Sequence, residues 1–279
     1  MSKSMENRFV ARSSDNSPFS RLCAPLLRKQ PREECCFTPT SELRRPDPAI
    51  YSQTEIIRRD GINANVTWMN PDIELYAGTP ARLMPEATIT VHNRSSAVSA
   101  AGARADVYAY RFGIGYPREL IGGSQLSIPA AGQTRFMAPL PQRIVLGEQR
   151  VGIELRLTHA TDLNTGNNIG LHACQVIHTS SVGRNFNVVI PIRNSLSSAQ
   201  EIYLRPLFAT TDLMISFTPT AGPFNPLEER MVVMGVNAQA LAAGPSVKRE
   251  LHFTTVAREP GGELRTLDEG VSFLINIDA

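Results

Sequence analysis

The sequence predicts an all-β protein: two tandem immunoglobulin-like β-sandwiches preceded by an extended N-terminal arm. Three observations carry this. Thr88–Ser96 reads T-I-T-V-H-N-R-S-S, and Val188–Ser198 reads V-V-I-P-I-R-N-S-L-S-S. Each is an alternating apolar run that stops at an Asn and a Ser cluster, and Asn93 and Asn194 stand 101 positions apart. A period of that length fits a duplicated domain, since solenoid units repeat at roughly 20–50 residues. Second, short strand-like runs alternate with turn signals about every 8–12 residues, the pattern of a sandwich. Third, after residue 60 no amphipathic helix longer than about three turns is legible.

Residues 1–48 read as the arm. Ser, Asn, Arg and Pro dominate, and Pro18, Pro25, Pro31, Pro39, Pro46 and Pro48 would interrupt any helix or central strand. Ile50–Arg59 fits a short helix ended by Gly61, with Ile50, Ile56 and Ile57 near one face. Ala64–Trp68 reads as a short strand, Asn70-Pro71-Asp72 as a turn, and Ile73–Tyr76 as the resumed strand. Further strands are expected at Ala87–Asn93, Ala103–Phe112, Thr134–Ala138, Arg150–Thr158 and Gly170–Thr179. In Arg150–Thr158, Val151, Ile153, Leu155 and Leu157 alternate with polar or small residues, so one face meets a core. The second copy offers Arg184–Arg193, Glu201–Phe208, Leu213–Thr218, Glu229–Val236, Val247–Ala257 and Gly270–Asp278. The first sandwich, with its short helix, is therefore assigned to residues 49–180 and the second to 181–279. A short joint near 179–184 makes a semi-rigid tandem.

Composition narrows the class. The 279 residues suit about two domains. The net charge of +2 steers no strongly charged partner. Nine Lys/Arg against six Asp/Glu in residues 1–48 make the arm mildly basic, while the remainder, 19 against 20, is near neutral. No apolar run approaches the ~20 residues of a membrane helix. Leu22–Leu27 is broken by Pro25, short of the about 7–15 residues of a signal-peptide core. A cytoplasmic protein, or a component of a particle, is the expectation. Of the four cysteines, Cys23, Cys35 and Cys36 fall in the arm and Cys174 in the body, so reduced thiols are expected.

The strings A-T-I-T-V-H-N-R-S-S and A-R-A-D-V-Y-A-Y, with D-L-N-T-G-N-N-I-G ahead of a last strand, resemble the bacterial CARDB-like immunoglobulin sandwiches. The landmarks are Val91-His-Asn93 and Asn167-Asn168. Pro46–Gln53 followed by Val66–Ile73 looks like the opening of a group of uncharacterised bacterial proteins with such domains. The resemblance covers about residues 46–180, more weakly the second copy. It implies the sandwich fold and a role as an interaction or spacer module.

Candidate chemistry is sparse. Asp162, Asn164, Gly166 and Asn168 fall at alternate positions, as oxygen ligands do in a calcium loop. Ala173 stands where an EF-hand places Glu, so an Asx/Gly-rich turn is the simpler reading and Asp162, Asn164 and Asn168 form only a weak calcium candidate. His172 and His178, six residues apart on one strand, stand about 20 Å apart, too far to share a metal. Cys174 reads as a buried thiol, and Ser124 after Gly122-Gly123 lacks the context of a nucleophile elbow. Trp68 reads as an anchor of the first core. No catalytic residue and no cofactor is predicted. The arm's Phe9, Val10, Leu22, Leu26, Leu27 and Phe37, set between charges, are expected to dock on a protein partner. Arg44-Arg45 and Arg58-Arg59 are doublets without interleaved aromatics, so nucleic acid is not the expected partner.

These readings converge on a non-enzymatic structural or interaction protein. It would be an accessory or scaffold subunit of a bacterial or phage-like assembly, docking through its arm and strand edges, with self-association as one form. The alternative is a carbohydrate- or cell-surface-binding adhesion module, which requires exposed aromatic residues.

Overall fold

The computed structural model describes residues 44–278, apart from 62–63, 79–81, 144–149, 181–184, 208–212, 219–220, 238–246, 259–261 and 263. The first half contains β1 (Pro48–Ala49), α1 (Gln53–Asp60), β2 (Ile73–Ala77), β3 (Arg82–Asn93), β4 (Ala100–Arg111), β5 (Glu119–Ile128), β6 (Gln133–Pro139), β7 (Val151–Thr158) and β8 (Ile169–Ser180). The second contains β9 (Asn185–Arg193), β10 (Gln200–Pro206), β11 (Met214–Thr218), β12 (Ala221–Phe224), β13 (Glu229–Asn237), β14 (Val247–Arg258) and β15 (Leu264–Asp278). The fold is all-β, built of immunoglobulin-like sandwiches.

Local chemistry sets the helix α1. The Ser52 side chain accepts the Glu55 N–H at the start, and the Gly61 N–H donates to the Ile57 carbonyl at the end. Gly61 sits at φ 81°, a conformation that costs glycine little. Glu55 in the first turn and Arg58 and Arg59 in the last complement the helix dipole.

The two halves show a similar pattern of strand pairing. In the first half β3 pairs with β6, β4 lies between β5 and β7, and β7 pairs with β8. In the second half β9 pairs with β13, β10 lies between β12 and β14, and β14 pairs with β15. The two copies are fused at their last strands. β8 and β15 pair in parallel, from Cys174 opposite Ser272 to Ser180 opposite Asp278. One eight-stranded sheet therefore runs β12-β10-β14-β15-β8-β7-β4-β5 through both halves.

Joining equivalent edges in parallel turns one copy over relative to the other, so the two cores lie on opposite faces of this sheet. Val151, Ile153, Leu155 and Leu157 of β7 enter the first core. On β8, Leu171 and Ala173 enter the second, and Ala173 stands beside Gly152, on the face of β7 that points away from the first core.

The second core also takes in chain from the first half: Ala64, Val66 and Trp68, then Tyr110, Phe112, Ile114 and Tyr116. Trp68 thus anchors the second core, not the first. Its segment is not a strand: the Trp68 carbonyl accepts the Ala173 N–H and its own N–H donates to Ser272 Oγ. Full burial of the indole contributes on the order of 2–3 kcal/mol. The boundary of the arm also moves. Arg45–Pro48, grouped with it on the sequence, are built into the first sandwich. The Pro46 carbonyl accepts the Leu163 N–H, the Asp47 carbonyl accepts the Arg94 N–H, and Pro48 pairs with Asn93. The proline count that excluded a central strand is compatible with this short edge piece.

Candidate functional site

The arm residues Phe9, Val10, Leu22, Leu26, Leu27 and Phe37 lie outside the described residues. Asp162, Asn164 and Asn168 are brought together, but the oxygens of Asp162 and Asn164 face protein donors, while Asn168 Oδ1 is buried without a hydrogen-bond partner. Asp162 Oδ1 accepts the Asn164 N–H at 3.0 Å, and Oδ2 accepts Asn168 Nδ2 at 2.6 Å. Asn164 Oδ1 accepts the Gly166 N–H, while its amide donates to Glu55 Oε1. Asp162 itself is buried. The loop is a pair of Asx turns closed by side chains. Among the described residues, no group of three His, Cys, Asp or Glu stands close enough to hold a metal ion.

This loop does have an occupant: the chain itself. Arg45 Nε donates to the Thr161 carbonyl, and its guanidinium also reaches the Asp162 carbonyl. Asp47 Oδ1 accepts Asn167 Nδ2 at 2.8 Å, the Asp47 N–H donates to Asn93 Oδ1 at 3.1 Å, and the Ile50 N–H donates to the Asn167 carbonyl. Burial raises the Asp47 carboxyl above its usual range, and the Asn167 hydrogen bond opposes that rise. The slot between the end of β3 and the β7–β8 turn is thus filled by the chain's own Arg45–Ile50 segment.

A serine–histidine pair was not anticipated. Ser272 Oγ lies 2.6 Å from His252 Nδ1, and His252 Nε2 lies 3.7 Å from Glu250 Oε2. Ser272 is completely buried, accepts the Trp68 N–H and borders the second core, so the pair braces the Trp68 segment against the sheet. The legible signal was a polar residue inside two apolar runs, L-H-F and V-S-F, which register His252 opposite Ser272. His172 is buried, and its ring is pushed down to about 4 by desolvation. Burial pushes the Cys174 thiol up to about 12, the state of an inert thiol.

Charged side chains lock the two halves. Glu154, nearly inaccessible on β7, accepts from Arg118 Nε at 2.8 Å and from Arg156 Nε at 2.5 Å. Arg118 also pairs with Glu269 of β15 at 2.8 Å, and Glu269 accepts the Gly115 N–H. Arg111 reaches Glu229 of β13 at 2.7 Å. Between these pairs the Phe112–Tyr116 loop lies against β9. The Ile114 N–H donates to the Pro191 carbonyl, and the Ile114 carbonyl accepts the Arg193 N–H. A side chain at Gly115 would stand 1.9 Å from the Arg193 oxygen, so only glycine permits this approach.

The repeat exposes a difference between the copies. On β3, residues Arg82–Ile89 are covered by β2, and His92–Asn93 by β1. On β9, Ile114 takes the place of β1. Nothing among the described residues takes the place of β2, so among them β9 from Asn185 to Ile190 is an open edge. That stretch, N-F-N-V-V-I, has no charge, proline or bulge, the devices that normally blunt an edge. The side chains of Asn185, Asn187 and Val189 are exposed beside it. β5, the edge of the eight-stranded sheet, carries exposed Leu120 and a register shift opposite Gly122. Among the described residues the exposed large hydrophobic side chains are aliphatic or methionine, with no aromatic ring. No helix among them is long and apolar enough to cross a membrane.

No family model matches the sequence, and no curated protein matches it. Several solved structures resemble it distantly. The YadV chaperone aligns over 37% of this chain and 49% of its own, at 10% identity and a TM-score of 0.29. An Escherichia coli alpha-2-macroglobulin activated by porcine elastase aligns over 84% of this chain and 22% of its own, at 12% identity and a TM-score of 0.28. The CupB6 tip adhesin of Pseudomonas aeruginosa aligns over 69% and 90%, at 8% identity and a TM-score of 0.24. The chain thus spans about half the length of the chaperone and about a fifth of the macroglobulin. At these scores the likeness assigns neither a family nor an activity.

Proposed function

We propose that this chain is a non-enzymatic structural or interaction protein, an accessory or scaffold subunit of a bacterial or phage-like assembly. It docks through its N-terminal arm and through strand edges. The observation that carries this reading is the open edge of β9, uncharged and unblunted where the equivalent edge of β3 is closed by β2. A partner strand added there gains main-chain hydrogen bonds along a preformed sheet, and the arm adds contact area and effective concentration. The fused sheet supports the reading too, because a stiff pair of sandwiches holds two attachment points at a fixed separation.

The test is capture from the native host with three proteins: the full chain, a chain lacking residues 1–43, and Val189→Lys. The deletion stops at 43 because Arg45 and Asp47 belong to the first sandwich. Each variant is expected to retain its fold by circular dichroism and to lose the partners that the full chain brings down. If both variants recover the same partners at full yield, the docking role is wrong.

A further inference from the structure

The first sandwich binds the extended segment Arg45–Ile50 in the slot between Asn93 and the β7–β8 turn. At the corresponding end of β9, Ile114 takes the place of β1, and beyond it, beside Asn194 and Ser195, no such segment lies among the described residues. A cavity of about 210 Å³ lies between the end of β9 and strands β10, β14 and β15, bordered by Asn194, Ser195, Leu196, Ile202 and Thr255. Asn194, Ser195 and Leu196 correspond by the 101-residue offset to Asn93, Arg94 and Ser95, which frame the filled slot.

The hydrogen bonds of the two asparagines show what is missing. Asn93 Oδ1 accepts two N–H groups, from Ser95 and from the inserted Asp47. Asn194 Oδ1 accepts one, from Leu196 at 3.1 Å, which repeats the Ser95 contact. The contact that the inserted strand would make has no counterpart. The Arg94 N–H donates to the Asp47 carbonyl, whereas the Ser195 N–H finds no such acceptor among the described residues. Thr255 is among the residues that border the cavity.

We infer that this cavity is a docking slot for an extended segment of another polypeptide that carries a carboxylate side chain. The backbone of that segment would give its N–H to Asn194 Oδ1 and its carbonyl to the Ser195 N–H, as Asp47 does in the first copy. The carboxylate follows from charge. Arg193 borders the cavity and has no acidic partner among the described residues, whereas Glu269 on the far wall is held by Arg118 and Gly115. The Ile114–Gly115 stretch, already paired to Pro191 and Arg193, forms the inner wall, so the incoming segment would extend an existing strand-edge contact.

This slot rests on the proposed interaction role and names a second partner site within it. The test is titration of the full chain with a synthetic peptide of its own filled-slot sequence, Arg-Arg-Pro-Asp-Pro-Ala-Ile, read by backbone amide NMR. Saturable shifts are expected at Ser195, Leu196 and Thr255. Arg193→Glu, or Asn in place of the peptide's Asp, should weaken binding by about tenfold. Gln200→Trp, a bulky side chain at the cavity mouth, should block it while thermal melting confirms the fold of both variants. Absence of saturable shifts, or shifts indifferent to Arg193→Glu and Gln200→Trp, would overturn the slot. A concentration-dependent dimer that the peptide dissociates would also overturn it, by assigning the slot to a second copy. Failure here with partner loss still seen in the Val189→Lys and 1–43 deletion proteins leaves the general docking role standing. Peptide binding with unchanged capture by those proteins refutes the edge-docking role and keeps the slot.

Discussion

Gly270 lies beneath the indole of Trp68, so close that a methyl group on its Cα would stand 2.6 Å from the ring and 2.3 Å from the Phe253 carbonyl oxygen. Trp68 comes from the first half of the chain and Gly270 from the last strand of the second. The contact therefore measures how tightly the halves share one interior. Gly270→Ala should cost about 3 kcal/mol by overpacking, because the nearest obstacle is backbone and cannot rotate away. A denaturant midpoint equal to that of the parent protein would show that the segment around Trp68 yields.

The shared interior also predicts how the protein unfolds. Trp68 is the single tryptophan, so its fluorescence reports the second core, while far-ultraviolet circular dichroism averages both halves. The two signals should give coincident transitions, since β8 and β15 are paired and the second core is built partly from residues of the first half. Residues 181–279 alone should not fold, because they lack Trp68, Phe112 and Ile114. Two separated transitions would contradict this.

Acid should weaken the fold through its histidines. Burial depresses the His172 ring from 6.5 to about 4, and His252 is shifted in the same direction. A histidine with a depressed folded value is held neutral, so the unfolded chain takes up the proton first. Its contribution is intact above about pH 6.5 and is lost as pH falls toward the folded value. For His172 this amounts to about 3 kcal/mol by pH 4. His172→Gln should flatten the stability profile between pH 6.5 and 4, and an unchanged acid limb in urea titrations would exclude His172 as its source.

Glu154 offers a fourth measurement. Its side chain is almost inaccessible and holds both Arg118 and Arg156. Glu154→Ala should cost about 3 kcal/mol, as removal of one partner from a buried ion pair usually does. Arg156→Ala, whose side chain is half exposed, should cost under about 1 kcal/mol. Equal losses for the two would show that Glu154 acts by volume alone.

Much of the fold was legible. Asn93 and Asn194 do the same work: each amide donates at 2.8 Å to a nearby carbonyl, Val98 and Ser198, and each carbonyl oxygen accepts the N–H two residues on. Most expected strands appear within a few residues of their positions. Three were missed: β1, of which Pro48 had been grouped with the arm, and β5 and β12, which take the same place in the two halves and lie at the ends of the large sheet. An end strand needs less apolar sequence, so E-L-I-G-G-S-Q-L-S-I and A-G-P-F lack the signal on which strand prediction depends. The interaction surfaces were less legible still. An open edge is defined by a strand that is not beside it, which no local pattern records.

The sequence by itself determined the class of structure and the turn chemistry at Asn93 and Asn194, because these depend on contacts a few residues apart and on the period-two pattern of apolar side chains. Only the tertiary structure decided that equivalent last strands pair in parallel, that the cores fall on opposite faces, and that Trp68 serves the second of them. It also decided which copy has its edge and slot filled by the chain itself. Such pairings join residues a hundred or more positions apart, and local pattern carries no record of them. Backbone hydrogen bonds will form between any two compatible edges, so the choice is made by side-chain packing across the whole molecule.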